Sequence, residues 1–363
     1  MSSSIRVALI GLSAGAATAW ASIAHLPYLT NSDKYKIIAL LNSSVAAARE
    51  AIQFYNLPPD TKAYGSPDDL AADADVQLVV CSVRVDRHFS TVMPSILAGK
   101  DVFMEWPLAS NEQEARRMME AAKEKKVKTM VGLQGRADAA ANAVRGLIGR
   151  KEIGDVKSVE VFVPQGQFSQ LPEGLEYFTD KRTGGNHLTI LFAHLLDTIL
   201  HIVGPIRDDF ISRIYNTLGG VDIIDGSKVL RRVKKDTPDH VYLLGNLLHN
   251  DAPVTVIVRD GRKIEGNPGV TLRIHGSLKD IELTTPGNYL NFGYGRETKL
   301  KVIDAKGEDE RDIDEGKEES LPVTARNTAR QYEAFAQGGS YADFADAVQL
   351  HRMIEKIYTH TVV

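Results

Sequence analysis

From Ile5 to about Gln134, short β-favouring apolar runs alternate with stretches whose apolar positions recur every three or four residues. That is the pattern of parallel strands joined by helices. It predicts strands at Arg6–Ile10, Lys36–Leu41, Val76–Ser82, Asp101–Glu105 and Lys128–Leu133, and helices at Ala16–His25, Val45–Tyr55, Ser90–Ala98 and Asn111–Lys125. Gly99 stands just past the third helix, where a glycine commonly closes one. After Gly135 the texture changes to a helix at Ala137–Arg150, a strand at Lys157–Val163, a loop rich in Gly, Pro and Gln, and a long apolar helix at about Asn186–Val203. Phe210 to Val302 reads mainly as antiparallel strands, with clear alternation in Val241–Leu248 and Val254–Arg259 and turns at Asn250-Asp251 and Asp260-Gly261. Helices near Val323–Ala336 and Ala342–Tyr358 follow. The fold class expected is α/β: a doubly wound parallel sheet of Rossmann type over residues 1–135, then an α+β domain over 136–363 with a large, mostly antiparallel sheet.

At 363 residues the chain is long enough for two cores. Its 43 basic and 47 acidic residues give a net charge of −4, without long single-sign blocks apart from an acidic-leaning stretch around Glu308 to Glu319. Neither nucleic acid nor a membrane is expected as a direct partner. No apolar run approaches the length of a bilayer span. Arg6, the apolar run Val7 to Leu12 and then Ala19-Trp20-Ala21 imitate a secretory leader, but the same residues make a first strand and a glycine turn, and that reading is preferred. Cys81 is the only cysteine, which excludes an internal disulfide and a cysteine metal cluster and suits the reducing cytoplasm or nucleus. Cys81 itself is expected as a buried small side chain.

The first motif with chemical content is Gly11-Leu-Ser-Ala-Gly15-Ala16, after a strand and before a helix. There, backbone N–H groups and the helix dipole can receive a pyrophosphate. It is a degraded GxGxxG, with Ser13 and Ala16 in the places of the second and third glycines, so an ordinary glycine turn fits it as well. The second strand ends on Asn42-Ser43-Ser44, where an NAD-selective site offers a carboxylate to the ribose. With that carboxylate absent, NADP is admitted beside NAD and slightly favoured. His187, His194 and His201 fall seven apart with Asp197 between the last two, so a regular helix would bring them to one face. A catalytic His194 with its ring oriented by Asp197 is one reading, and histidines satisfied in a packed helix the other; no metal is expected. Arg136 reaches either a substrate anion or a structural acid, and Lys181-Arg182 either an anionic group or solvent.

The segment Cys81-Ser-Val-Arg-Val-Asp-Arg-His88, the helix ending Leu97-Ala-Gly-Lys100 and the run Asp101-Val-Phe-Met-Glu105-Trp106-Pro107-Leu108 together resemble the Gfo/Idh/MocA oxidoreductase family. Ala24-His25-Leu26-Pro27 and Gly184-Gly185 ahead of His194-Leu-Leu-Asp197 match further landmarks. Within the family the likeness is strongest to the branch of fungal galactose-pathway repressors, through Glu105-Trp106, Leu133-Gln-Gly-Arg136, Pro238-Asp-His240, Ile274-His275-Gly276 and Leu350-His351-Arg352. The resemblance implies a dinucleotide across the carboxyl ends of the strands, held by Gly11, Ser13, Ala14, Asn42, Ser43, Ser82, Arg84, His88, Glu105 and Trp106, with its nicotinamide toward Glu105, Trp106 and His194. It also implies a second sheet with one open face, a homodimer through that face, and a last helix (about 342–358) that packs back on the first domain.

Two departures from the family pattern bear on function. Trp106 stands where family enzymes usually carry a lysine beside the nicotinamide, and an indole cannot exchange the proton that accompanies hydride transfer. Ile190 stands where they carry an aspartate four residues before the histidine. The favoured expectation is an NAD(P)-dependent oxidoreductase acting on a carbonyl or alcohol carbon of a small molecule. In it His194, with Asp197, is the acid–base group, and Tyr177 or His187 takes up the lysine's task. The alternative is a regulator that binds the dinucleotide without turning it over and acts through a transcription-factor partner.

Overall fold

The computed structural model describes residues 4–15, 19–164, 169–261 and 264–359. The chain divides into two compact units, one of residues 1–132, 182–185 and 320–352 and the other of residues 133–181, 186–319 and 353–363.

The first unit is built on a parallel sheet of β1 (Ile5–Ile10), β2 (Tyr35–Leu41), β3 (Lys62–Tyr64), β4 (Leu78–Cys81), β5 (Asp101–Glu105) and β6 (Thr129–Gly132), in the order β3-β2-β1-β4-β5-β6. Val7 to Ile10, Leu78 to Cys81 and Val102 to Met104 are almost fully buried, as continuous apolar runs must be in strands covered on both faces. The chain runs outward from β1 to β3 and returns to the other side of β1 at β4, so the order reverses between β1 and β4. This is the doubly wound Rossmann sheet expected from the pattern. Its connections are α1 (Leu26–Leu29), α2 (Val45–Phe54), α3 (Pro67–Ala72), α4 (His88–Leu97) and α5 (Glu112–Lys125). Ser44, Ser66 and Asn111 cap α2, α3 and α5 by accepting from the backbone N–H of Ala47, Asp69 and Glu114. β3 and α3 were not anticipated, being too short to show a period. Ahead of α1 the chain takes a π-helical turn, Ala21–His25, where a regular helix from Ala16 was expected; Ala16 itself lies outside the described residues.

The second unit contains α6 (Ala139–Gly149), β7 (Val156–Pro164), β8 (Gln170–Pro172), α7 (Ala193–Val203), β9 (Ile211–Tyr215), β10 (Gly220–Asp225), β11 (Lys228–Lys234), β12 (His240–Asn246), β13 (Pro253–Arg259), β14 (Val270–Gly276), β15 (Asp280–Thr285), β16 (Lys299–Asp304) and β17 (Gly307–Arg311). Eight of these strands form one sheet, β17-β16-β15-β14-β7-β13-β12-β9, parallel at β7/β13 and antiparallel at its other pairings. Val159, Val161, Val241, Leu243, Val256, Leu272 and Ile274 are buried on one face, while Phe162, Ile211, Tyr215 and Leu244 are 39–62% exposed on the other. This is the period-two alternation of a sheet with one open side. β8, β10 and β11 make a small separate sheet over Leu171, Val221 and Ile223, which the charged sequence of β11 had hidden. β17 lies in the acidic stretch, steadied by an ion pair from Lys301 to Glu308 at 2.7 Å.

The chain then supplies α8 (Val323–Gln337) and the start of α9 (Phe344–Thr359) to the first unit. Tyr332 of α8 is fully buried in that unit's core with Leu9, Tyr28, Tyr35 and Phe103, and Val131 of β6 donates its N–H to the carbonyl of Ala342. Among the described residues no helix is long and apolar enough to cross a membrane.

Candidate functional site

In the first unit the strand register aligns Ile10 with Leu41 and Cys81, Cys81 with Met104, and Glu105 with Gly132. Gly11, Asn42, Ser82 and Glu105 therefore share the carboxyl edge of the sheet, and Gly11 and Ser82 follow the two strands between which the order reverses. Open α/β sheets bind ligands in that crevice. Gly11 has φ +91°, and a Cβ there would stand 2.4 Å from the carbonyl oxygen of Ser82, so only glycine lets the turn pass this close. The turn is tied down on its other side: Asn42 Nδ2 donates to the Leu12 carbonyl at 2.7 Å and the Tyr55 hydroxyl to the Ser13 carbonyl at 3.0 Å. Ser13 Oγ accepts from Gly15 N–H at 3.4 Å, Ala14 lies in the turn between them, and Ser43 is exposed. This cradle of backbone, without a carboxylate at the end of β2, fits the pyrophosphate and ribose of either dinucleotide.

The other expected ligands have partners of their own. Arg84 grips Asp86 bidentately, both contacts at 2.6 Å. His88 is buried between carbonyls, with Nε2 3.0 Å from Val83 O and Nδ1 2.9 Å from Pro107 O. Burial pushes its pKa down, and its place is that of a brace between the loop after β4 and the cis Trp106-Pro107 bond. Trp106 is 5% exposed, its ring 4.7 Å from that of His351 on α9, and burial drives the His351 imidazole down to about 3. Glu105 is 7% exposed; its Oε1 lies 2.8 Å from His25 Nε2, and a Cβ on Gly132 would stand 2.5 Å from its Oε2. Cys81 is buried and free, its thiol pushed up to about 12 by burial.

In the second unit His194 and His201 keep the seven-residue register on α7, and His187 does not. His187–Phe192 is a π-helical turn, begun by Asn186, whose side-chain oxygen accepts from Leu188 N and Thr189 N at 3.0 and 3.3 Å. The wider i→i+5 turn breaks the seven-residue register before α7 begins. His187 packs edge-on to Phe178 at 5.4 Å, and burial, reinforced by Lys235, holds its imidazole down at about 3. His194, 8% exposed, opens α7, and its carbonyl accepts from Thr198 Oγ1 at 2.8 Å. His201 Nε2 lies 3.0 Å from Asn142 Oδ1.

Asp197 is held by Arg136, with Nε at 3.1 and 3.0 Å from its two oxygens and Nη2 at 2.7 Å. Arg136 thus pairs with an acid, one of the two partners expected for it. Tyr177 sits half-buried on the 3-10 turn Glu173–Thr179, 4.9 Å from Phe178, so Tyr177 and His187 share Phe178. Lys181 and Arg182 are both exposed, and the Lys181 ammonium lies 3.9 Å over the Tyr358 ring. Residues that sequence reasoning left without a chemical role include Tyr332, Lys235 and Asp239. Lys235 and Asp239 form a buried ion pair at 3.1 Å. Burial would raise the Asp239 pKa, but N–H donors from Thr217 and Leu218, His240 and the Lys235 charge bring it to about 2. Such a pair of a cation and an acid four apart was visible in the sequence, but its burial was not.

Residues 5–133 match the family model of the GFO_IDH_MocA oxidoreductases, NAD-binding Rossmann fold, and residues 140–285 match that of the Gal80p C-terminal domain. Residues 5–133 thus carry the NAD-binding Rossmann domain of the Gfo/Idh/MocA oxidoreductases. The chain is 27% identical over 291 residues to the galactose/lactose metabolism regulatory protein GAL80 of Saccharomyces cerevisiae, covering 77% of this chain and 66% of that one. It is 35% identical over 206 residues to the dehydrogenase aclE of Aspergillus oryzae, covering 56% of each. The chain thus spans less than two thirds of the length of these relatives. Among solved structures, a super-repressor mutant of Gal80p from Saccharomyces cerevisiae superposes with a TM-score of 0.87 over 98% of this chain and 96% of that one at 22% identity, a likeness of fold. A regulator and a dehydrogenase thus stand together among the proteins this chain is similar to.

Proposed function

We propose that this chain is an NAD(P)-dependent oxidoreductase that transfers hydride at a carbonyl or alcohol carbon of a small-molecule substrate, with His194 as the group that moves the accompanying proton. The observation that carries the reading is the retained imidazole of His194, buried at the start of α7 together with Asp197 and Thr198. It directly follows a π turn, a distortion that clusters at functional sites. Proton transfer at a substrate oxygen gives a buried imidazole a use. A bound nicotinamide dinucleotide supplies the hydride acceptor or donor. Gly11, Ser13 and Ala14 of the turn would receive its pyrophosphate, and Asn42 and Ser43 its ribose. Without a carboxylate at the end of β2, NADP is the preferred form. Arg136 fixes Asp197 and so stiffens the first turns of α7. Tyr177 and His187 are the remaining candidates for the task of the absent lysine, with His187 held in its neutral form.

A second reading is favoured by Trp106 and Ile190, which remove two acid–base groups: a regulator that binds the dinucleotide without turnover and acts through a protein partner. Absorbance at 340 nm with a panel of sugars, polyols and keto compounds separates the two. Turnover that falls at least a hundredfold in His194→Ala supports the enzyme. Dinucleotide binding with no turnover across the panel, together with a dinucleotide-dependent protein partner, supports the regulator.

A further inference from the structure

In the first unit a crevice runs along the start of β2, at the opposite end of the strand from Asn42. β3 pairs with β2 only from Ala39 onward, so beside Lys36 and Ile38 the sheet has no further strand on that side. Two adjoining cavities open there. Lys36 and Ile37 line both, residues 55–58 line the larger and residues 60–62 the smaller. The larger, of about 540 Å³, is walled mainly by Leu26, Leu29, Tyr35, Ile37, Tyr55 and Leu57, which is the size and apolar character of a small-molecule site. The smaller, of about 180 Å³, is lined by Arg6, Lys36, Asp60, Thr61, Lys62 and Asp75.

The charges of the smaller cavity are only partly answered within the fold. Lys62 is held by Asp75 at 2.7 Å and by Asp73 at 2.9 Å, and Arg6 donates its Nε to the Asp75 carbonyl. Among the described residues no carboxylate pairs with Arg6 or Lys36, and no cation pairs with Asp60. Arg6 and Lys36 are register partners on adjacent strands, so two like charges stand abreast, an arrangement that costs stability. Thr61 is 8% exposed, and its hydroxyl has no hydrogen-bond partner in the protein, which is rare for a buried polar group.

We propose that this crevice is a second binding site, for an α-amino acid with an apolar side chain. The carboxylate lies against Lys36 and Arg6, the ammonium against Asp60, and the side chain in the larger cavity with the Tyr35 and Tyr55 rings. Thr61 supplies a hydroxyl at the polar end. Two unpaired cations and an unpaired acid in one small cavity suit a zwitterion: a plain anion meets Asp60, and a plain amine meets Arg6 and Lys36.

Isothermal titration of the full chain with phenylalanine, phenethylamine and phenylpropanoate tests the assignment. Expected is a single saturable site for phenylalanine, with each analogue, lacking one of the two charges, binding about tenfold more weakly. Lys36 and Asp60 are exposed, so both are changed without touching the core. Lys36→Gln should weaken phenylalanine about tenfold and leave phenethylamine unchanged, and Asp60→Asn should weaken phenylalanine about tenfold and leave phenylpropanoate unchanged. Saturating NADPH should leave the phenylalanine site in place. No saturable binding of phenylalanine, equal affinity for the three compounds, losses in the variants that ignore the matching charge, or displacement by NADPH overturns the proposal.

Discussion

His187 and His351 are each more than nine-tenths buried, and burial holds both imidazoles down at about 3. An unfolded chain restores them to about 6.5, the ordinary value. Between those limits the unfolded state binds more protons, so their contribution to stability is full above pH 6.5 and is lost as pH falls toward 3. Urea titrations from pH 7 to pH 5, where most carboxylates remain ionised, should show stability falling with acid, and His351→Gln should make the slope shallower, His187 and the buried His88 supplying the rest. A slope unchanged in that variant would mean that His351 is not held neutral in the fold. Asp239 adds its own loss below about pH 4, because its folded value lies near 2. At this scale the sequence was legible where local geometry decides. Gly11 must be glycine because of its turn, and the strand carrying Cys81 announced its own burial. Trp106 was legible as a departure from family pattern, but its packing on His351, 245 positions away in sequence, depends on tertiary contacts that no local pattern records.

The helical segment from Asn186 to Val203 shows how far an element can be read. Its apolar length predicted a helix, and a helix is there, but the π turn over His187–Phe192 rotates everything after it. The seven-residue spacing of the histidines assumed 3.6 residues per turn throughout. Packing of α7 is close enough to test directly. A Cβ on Gly135 would stand 1.8 Å from Thr198 Oγ1, so Gly135→Ala should cost about 1–3 kcal/mol by overpacking. Thr198→Ala in the same chain should recover most of that loss, as read from thermal or urea midpoints. An additive double variant would place the strain elsewhere. The Arg136–Asp197 fork binds the same two segments 61 residues apart, a pairing that charge alone allowed without naming the partner. β3, α3 and the three-stranded sheet escaped for a different reason: they are short, and β11 exposes nearly its whole length, so no apolar period marks it.

At the scale of the molecule, alternation of strand and helix gave the Rossmann sheet, and period-two alternation gave the antiparallel one, because both are driven by which faces are covered. Chain return was harder to read, since α8 joins the first unit through Tyr332 and nothing local marks that residue for a distant core. The open face of the large sheet carries its own expectation. Ile211 pairs with Leu244, and Phe162, two residues further along on β7, is exposed on the same face. A homodimer through this face would remove these side chains from water. Light scattering after size exclusion should give twice the mass of one chain, and Ile211→Lys with Leu244→Glu should give a monomer with an unchanged melting midpoint. A parent that runs as a monomer at tens of micromolar would contradict the dimer.

The central claim is that the first unit holds a nicotinamide dinucleotide, and isothermal titration of the parent chain with NADPH and with NADH tests it most directly. The account predicts saturable binding of one dinucleotide per chain, with NADPH at least as tight as NADH. No heat from either cofactor, in a chain shown to be folded by its melting transition, would contradict it.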